Sequence, residues 1–285
     1  MTQSEILDEI RAIIRQPDLF TKSTNFNVGF FSKPFLIEDG ILKGNVIKTY
    51  RPIDSEEYCA RVKQLHDNYV EELRKANIKV PDTDLHIVDV DDKFHVAIIQ
   101  EAFTPSELVR DVMKTCDVDP YLDLMAGVLT DAINFSAYMK DRTEMLGFHP
   151  TLRNYAFRMG TFYYFDTFPP MAGISEEEVQ QLVIDFAPYH FPGFVKKLSK
   201  KYLGKVTNEY YQYDLMISGI VGSSCRLRPE FADRVLIRAR SVIENTPIDE
   251  QVKNDTLEII KNPPKLSPLW TSMRKILGKE GKPNV

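Results

Sequence analysis

Cysteine is scarce in this chain of 285 residues: Cys59, Cys116 and Cys225 stand far apart, with no C-x-x-C spacing. That excludes a disulfide framework and a cysteine zinc site, and it fits buried thiols in a reducing compartment. His66, His86, His95 and His190 show no H-x-x-x-H or Cys/His spacing, which argues against a transition-metal centre. Neither G-x-S-x-G nor a P-loop occurs, which counts against a serine hydrolase and a Walker-type ATPase. Basic excess is also missing: the net charge is −5 and the pI about 5.7, so nucleic acid is not expected as the main partner. No uncharged apolar run approaches the ~18 residues of a membrane span, so no membrane partner is expected. The opening MTQSEILDEIRAIIRQ is acidic and amphipathic, unlike a secretory signal, and the expected compartment is the cytoplasm. No fixed-period repeat is present, and no feature specifies an oligomeric state.

What is present is ordinary in amount and informative in order. Hydrophobic residues make up 43% and charged residues 27%, as in a globular protein with a sizeable core, and the length allows one large domain or two. Apolar residues at Ile6, Leu7, Ile10, Ile13 and Ile14 predict a packed leader helix over 4–15, ended by Pro17. Residues 27–50 alternate turn residues with β-rich runs and predict three short antiparallel strands, the last holding Lys48 in V-I-K-T-Y. A helix capped at Asp54 or Ser55 runs to about Ala76, followed by strands 85–90 and 94–99 around an Asp91-Asp92-Lys93 turn. After Glu101–Pro105 as a connector, helical patterning dominates. Helices are expected at 106–116, 120–145, 176–187, 192–203, 206–222, 229–244 and 248–261. The basic-aromatic segment 196–211 reads as an exposed helical face, and 278–285 as a loose tail.

One stretch interrupts that run: HPTLRNYAFRMGTFYYFDTFPP, residues 149–170. Tyr155–Phe157 and Thr161–Phe165 read as two strands around an Arg158-Met159-Gly160 turn, the glycine supplying a positive φ. Such a hairpin brings Asn154 at its entrance near Asp166 at its exit. Together they offer hard oxygen ligands for Mg²⁺, which takes a few protein oxygens plus phosphate and water. The plainer alternative is a turn asparagine and a capping aspartate.

A small antiparallel sheet with one inserted helix, a connector, and a helical region interrupted by a polar loop and hairpin resembles the two-lobed protein-kinase-like fold. The closest resemblance is to the aminoglycoside phosphotransferase and choline-kinase branch, over roughly residues 27–260. It implies an α+β fold, with an N-terminal lobe over 1–102 and a mainly helical lobe over 103–285. By this resemblance Lys48 holds the nucleotide phosphates and pairs with a helix glutamate, Glu72, with Glu71 and Glu57 as alternatives. The connector places backbone groups of Gln100, Glu101 and Ala102 against an adenine. Asn154 and Asp166 hold Mg²⁺, twelve residues apart, as the metal-binding pair of a kinase does. The sequence departs from the family where His149 stands five residues before Asn154 in place of the catalytic aspartate. It departs again at Asp166-Thr167-Phe168-Pro169-Pro170 in place of D-F-G, and in having only Gly29 ahead of Lys48 in the first hairpin.

The resemblance therefore implies an ATP- and Mg²⁺-dependent phosphotransferase acting on a hydroxyl of a small molecule. His149 would take or guide the acceptor proton, or simply anchor the loop. Arg153 would hold a phosphate or substrate carboxylate, or pair with an acidic neighbour. The alternative is a catalytically silent kinase-like protein that binds nucleotide or acts as a scaffold.

Overall fold

A computed structural model describes residues 2–21, 32–187, 208–246 and 248–262. Gly29, the helix expected at 192–203, most of the segment 196–211 and the tail 278–285 lie outside the described residues. Mixed α/β architecture is found, with a small antiparallel sheet and a helical majority. The chain divides into two compact units: Met1–Glu71, Val80–Ala102 and Thr167–Lys201 form one, and Glu72–Lys79, Phe103–Asp166 and Tyr202–Val285 the other. No helix among the described residues is long and apolar enough to cross a membrane.

The first unit opens with helix α1 (Gln3–Arg15), whose start is fixed by a capping box between Thr2 and Glu5. Strands β1 (Lys33–Leu36), β2 (Asn45–Thr49), β3 (Thr83–Val90) and β4 (Lys93–Glu101) form one antiparallel sheet in the order β1-β2-β4-β3. Ile10 and Ile13 of α1 pack in one cluster with Ile37, Ile47, Val88, Val90, Ala97 and Ile99. Each isoleucine so buried contributes about 1.5–3 kcal/mol relative to exposure. Glu9 fastens the helix at its side: its carboxylate accepts the N–H groups of Ile41 and Leu42, each at 2.8 Å. Those two residues belong to a turn over 39–44, so the described part of 27–50 holds two strands where the sequence reading expected three. Gly40 (φ +89) and Gly44 (φ +87) bend that turn in the left-handed region, which ends any strand through Ile41. Asp91 and Asp92 (φ 52 and 59) make the two-residue turn between β3 and β4, and Lys93 already pairs with Val90.

Helix α2 (Glu56–Lys75) follows β2, its first turn held by Ser55, whose Oγ accepts from Tyr58 N at 3.1 Å. Helix α5 (Glu176–Asp185) starts with a capping box, Ser175 and Glu178. It is tied to α2 within the same unit by Tyr58 Oη donating to Asp185 at 3.0 Å and by an Arg61–Glu178 ion pair at 2.5 Å.

The second unit contains α3 (Val109–Met113), α4 (Val118–Met139), the hairpin β5 (Tyr155–Arg158) and β6 (Thr161–Tyr164), α6 (Tyr213–Leu227), α7 (Ala232–Glu244) and α8 (Glu250–Ile259). Helix α4 packs on α6 and α7, with Met125, Leu129, Ile217, Ile220, Val235 and Ala239 buried in the unit's interior. Tyr121 Oη donates to Ser224 O at 2.6 Å across it. The helix expected at 206–222 begins later because Asn208–Tyr210 forms a 3₁₀ turn held by Phe148 N donating to Tyr210 O at 2.7 Å. The long helix stops at Met139 rather than Met145, and Arg142 just beyond it turns into an ion pair with Glu72.

Candidate functional site

Met159 (φ 49) and Gly160 (φ 79) both occupy the left-handed region, the conformation that matches the twist of a two-residue hairpin. Register then runs from Arg158 opposite Thr161 to Tyr155 opposite Tyr164. One more bond, Phe165 N to Asn154 O at 3.0 Å, carries the ladder past the strand ends. The hairpin is held to its unit by Arg158, which pairs with Glu107 at 2.5 Å and lies 4.5 Å from the Phe103 ring.

This construction brings Asn154 and Asp166 together. Asn154 Nδ2 donates to Asp166 Oδ2 at 2.9 Å and to His149 O at 3.1 Å, so one buried amide ties the loop's start to the hairpin's exit. His149 Nδ1 stands 4.0 Å from the same carboxylate oxygen. Burial, and then the positive charge of Arg153, push the His149 imidazole down to about 3, so it is neutral at physiological pH. A neutral ring beside Asp166 does not compete with a cation for the site. The ring of Tyr210 packs against His149 with centroids 4.7 Å apart. Tyr210 lies sixty-one residues further along the chain, and no spacing in the sequence pointed to it.

Among the described residues no group of three or more His, Cys, Asp or Glu converges to hold a metal unaided. Asp166 and the amide oxygen of Asn154 make a set of one carboxylate and one neutral oxygen. That set fits Mg²⁺, which is usually held by one or two carboxylates together with phosphates and water.

The expected nucleotide-binding residues, apart from Glu72, belong to the first unit. Lys48 sits on β2, paired with Pro34 and Ile98. Its side chain points to the face opposite Ile47, where its charge helps lower the pKa of His66 on α2. Gln100 is buried, and its side-chain amide donates to Thr83 Oγ1 at 2.9 Å. The Glu101 N–H donates to Asp82 O at 3.0 Å, so this amide is already used by the protein's own backbone and is not open to an adenine. Ala102 is half-buried at the end of β4.

Glu72 has a different task from the one expected. Its Oε1 pairs with Lys75 at 3.0 Å, and its Oε2 accepts from Tyr138 at 3.0 Å and Arg142 at 2.6 Å. Burial alone would raise its pKa, but these three partners outweigh that and hold it below the usual carboxylate value. It is the centre of a structural ion-pair network, with both oxygens committed inside the second unit. In the first unit the middle of α2 presents His66, whose Nε2 lies 3.0 Å from Thr167 Oγ1, both residues 1% exposed. Desolvation is the main cause of its lowered pKa.

A second buried acid lies behind the hairpin. Burial pushes the Asp131 carboxyl up to about 7, against a hydrogen bond from Tyr155 that lowers it. Asp131 on α4 was not singled out by its sequence neighbours, because a lone acid on an apolar helix has no spacing signature.

No curated protein matches the sequence. Over residues 9–281 it matches a family model described as a family of unknown function, DUF6206, and the chain belongs to that family.

Proposed function

We propose that this protein is an ATP- and Mg²⁺-dependent phosphotransferase acting on a hydroxyl of a small molecule, of the protein-kinase-like kind that aminoglycoside phosphotransferases and choline kinases represent. The observation that carries the reading is the Asn154–Asp166 contact at 2.9 Å at the open end of a hairpin, beside a neutral His149. Support also comes from Lys48 on an inner strand of a small antiparallel sheet, with a long helix following it.

In this reading Asp166 and the Asn154 oxygen hold Mg²⁺ against the β- and γ-phosphates, and Lys48 orients the α- and β-phosphates. Bound Mg²⁺ supplies neutralisation of the charge on the transferring group. His149, uncharged and fixed against Tyr210, orients the acceptor hydroxyl; an imidazole titrating near 3 is a poor proton acceptor at neutral pH. Arg153 adds a positive charge next to the metal pair, suited to a transferring phosphate. Three separated free cysteines suit a cytoplasmic setting.

The test is Mg²⁺-dependent ATP binding by calorimetry, followed by turnover on a panel of hydroxylated metabolites. Binding that needs Mg²⁺ and is lost in Asp166→Ala supports the reading, and absence of binding in the unaltered protein sinks it. A second reading, a silent nucleotide-binding scaffold, is favoured by the lack of a carboxylate at position 149. Binding without turnover would select it.

A further inference from the structure

The loop that begins at His149 has no carboxylate where a hydroxyl proton would be taken, yet a carboxyl from elsewhere in the same unit approaches it. Phe148 N donates to Tyr210 O at 2.7 Å, which fastens the 208–210 turn beside His149. The Tyr210 ring lies against the imidazole, and the Tyr210 phenol feels the negative charge of both Asp166 and Glu209. One phenol between two carboxylates puts Glu209 in the neighbourhood of the metal pair, on the Tyr210 side. Glu209 is half-buried, and burial alone raises its pKa, with no hydrogen bond or countercharge acting on it among the described residues. A half-buried carboxyl without a structural partner has no evident role in holding the fold. Raised basicity is also what a proton acceptor requires.

We infer that Glu209 is the catalytic base of the site, supplied by the 208–210 turn in place of a carboxylate at position 149. This rests on the phosphotransferase reading above. The Glu209 carboxylate takes the proton of the acceptor hydroxyl as the hydroxyl oxygen forms its bond to the γ-phosphorus of ATP. The bond from that phosphorus to the β–γ bridging oxygen breaks, and ADP leaves with the electron pair. Glu209 then returns its proton to solvent. Tyr210 and His149 form the wall that directs the hydroxyl toward both groups.

The experiment uses the full chain with ATP, Mg²⁺ and water as the acceptor, following phosphate release, with Mg²⁺·ATP affinity and the melting temperature measured in parallel. Glu209→Gln is expected to slow release roughly 100-fold or more, the lower end of what general-base catalysis supplies. Its Mg²⁺·ATP affinity and melting temperature should stay at the wild-type values, and the acid limb of the pH–rate profile should disappear. His149→Gln should keep that limb. If the wild type turns over and Glu209→Gln matches it, this inference is overturned while the phosphotransferase reading stands. A wild type that fails to bind Mg²⁺·ATP overturns both, and one that binds without turnover overturns the assignment of a base. Should Glu209→Gln not fold, Glu209→Asp decides: slower release with the acid limb retained supports the inference, and unchanged release overturns it.

Discussion

Asn154 donates its amide hydrogen to the Asp166 carboxylate across 2.9 Å, joining two residues that the hairpin between them holds face to face. A neutral amide in that position lets one carboxylate sit at the site without repulsion. Asn154→Asp would set two negative charges within hydrogen-bonding distance, raising the pKa of one of them and lowering stability. The variant should melt several degrees below wild type in chelator and recover much of that loss in millimolar Mg²⁺. Equal melting shifts with and without Mg²⁺ would count against a cation at this pair.

Gly127 of α4 lies under the hairpin, and a methyl group added there would meet the Phe162 ring at 2.1 Å. Gly127→Ala should therefore cost about 1–3 kcal/mol or more in urea unfolding, despite alanine's better helix propensity. Adding Phe162→Leu should return part of the loss, and simple additivity of the two would show that they do not meet.

Met159 is almost fully exposed and carries a positive φ in the hairpin turn. Asparagine tolerates that backbone better, and the side chain gives up no burial. Met159→Asn is expected to raise stability by about 0.5–1 kcal/mol. A lower unfolding midpoint would contradict the turn assignment.

Asp131 should make stability depend on pH. Its folded pKa, about 7, lies above the ordinary value of 3.8, so the native state holds its proton more tightly than the unfolded chain does. The resulting stabilisation is complete below pH ~4 and is lost as pH rises toward 7. Asp131→Asn removes the titration, so the variant should gain on the wild type across that window, by on the order of 3 kcal/mol at pH 8. Parallel stability curves for the two proteins would show that the carboxyl is not held this way.

Local chemistry was the part of the fold that could be read from sequence. Gly160 announced the hairpin turn, Ser175 and Glu178 announced a helix start, and the spacing of Ile10 and Ile13 marked the buried side of α1. Asn154 and Asp166 belonged to this class, since a hairpin of set length converts twelve residues of separation into contact. Pairings decided by packing were not legible. Glu72 looked like a partner for a strand lysine, but Arg142, seventy residues later, and Tyr138 claim its carboxylate. His66 with Thr167 and Tyr210 with His149 are also neighbours only once the chain is folded, and neither pair leaves a period or motif behind. The start of α6 was misplaced for the same reason: the backbone of Tyr210 answers Phe148, which diverts the residues that would otherwise have begun the helix.

The two amide hydrogens of Ile41 and Leu42 are answered by Glu9, which arrives on a separate helix. A shortened version of the protein beginning after Gln16 would lose that carboxylate together with Ile10 and Ile13. Ile37, Ile47 and Val88 would then face water as one sticky strip, with unanswered donors beside it. Such a protein should self-associate even if its sheet still formed, which makes the first turns of the chain a solubility element as much as a folding one.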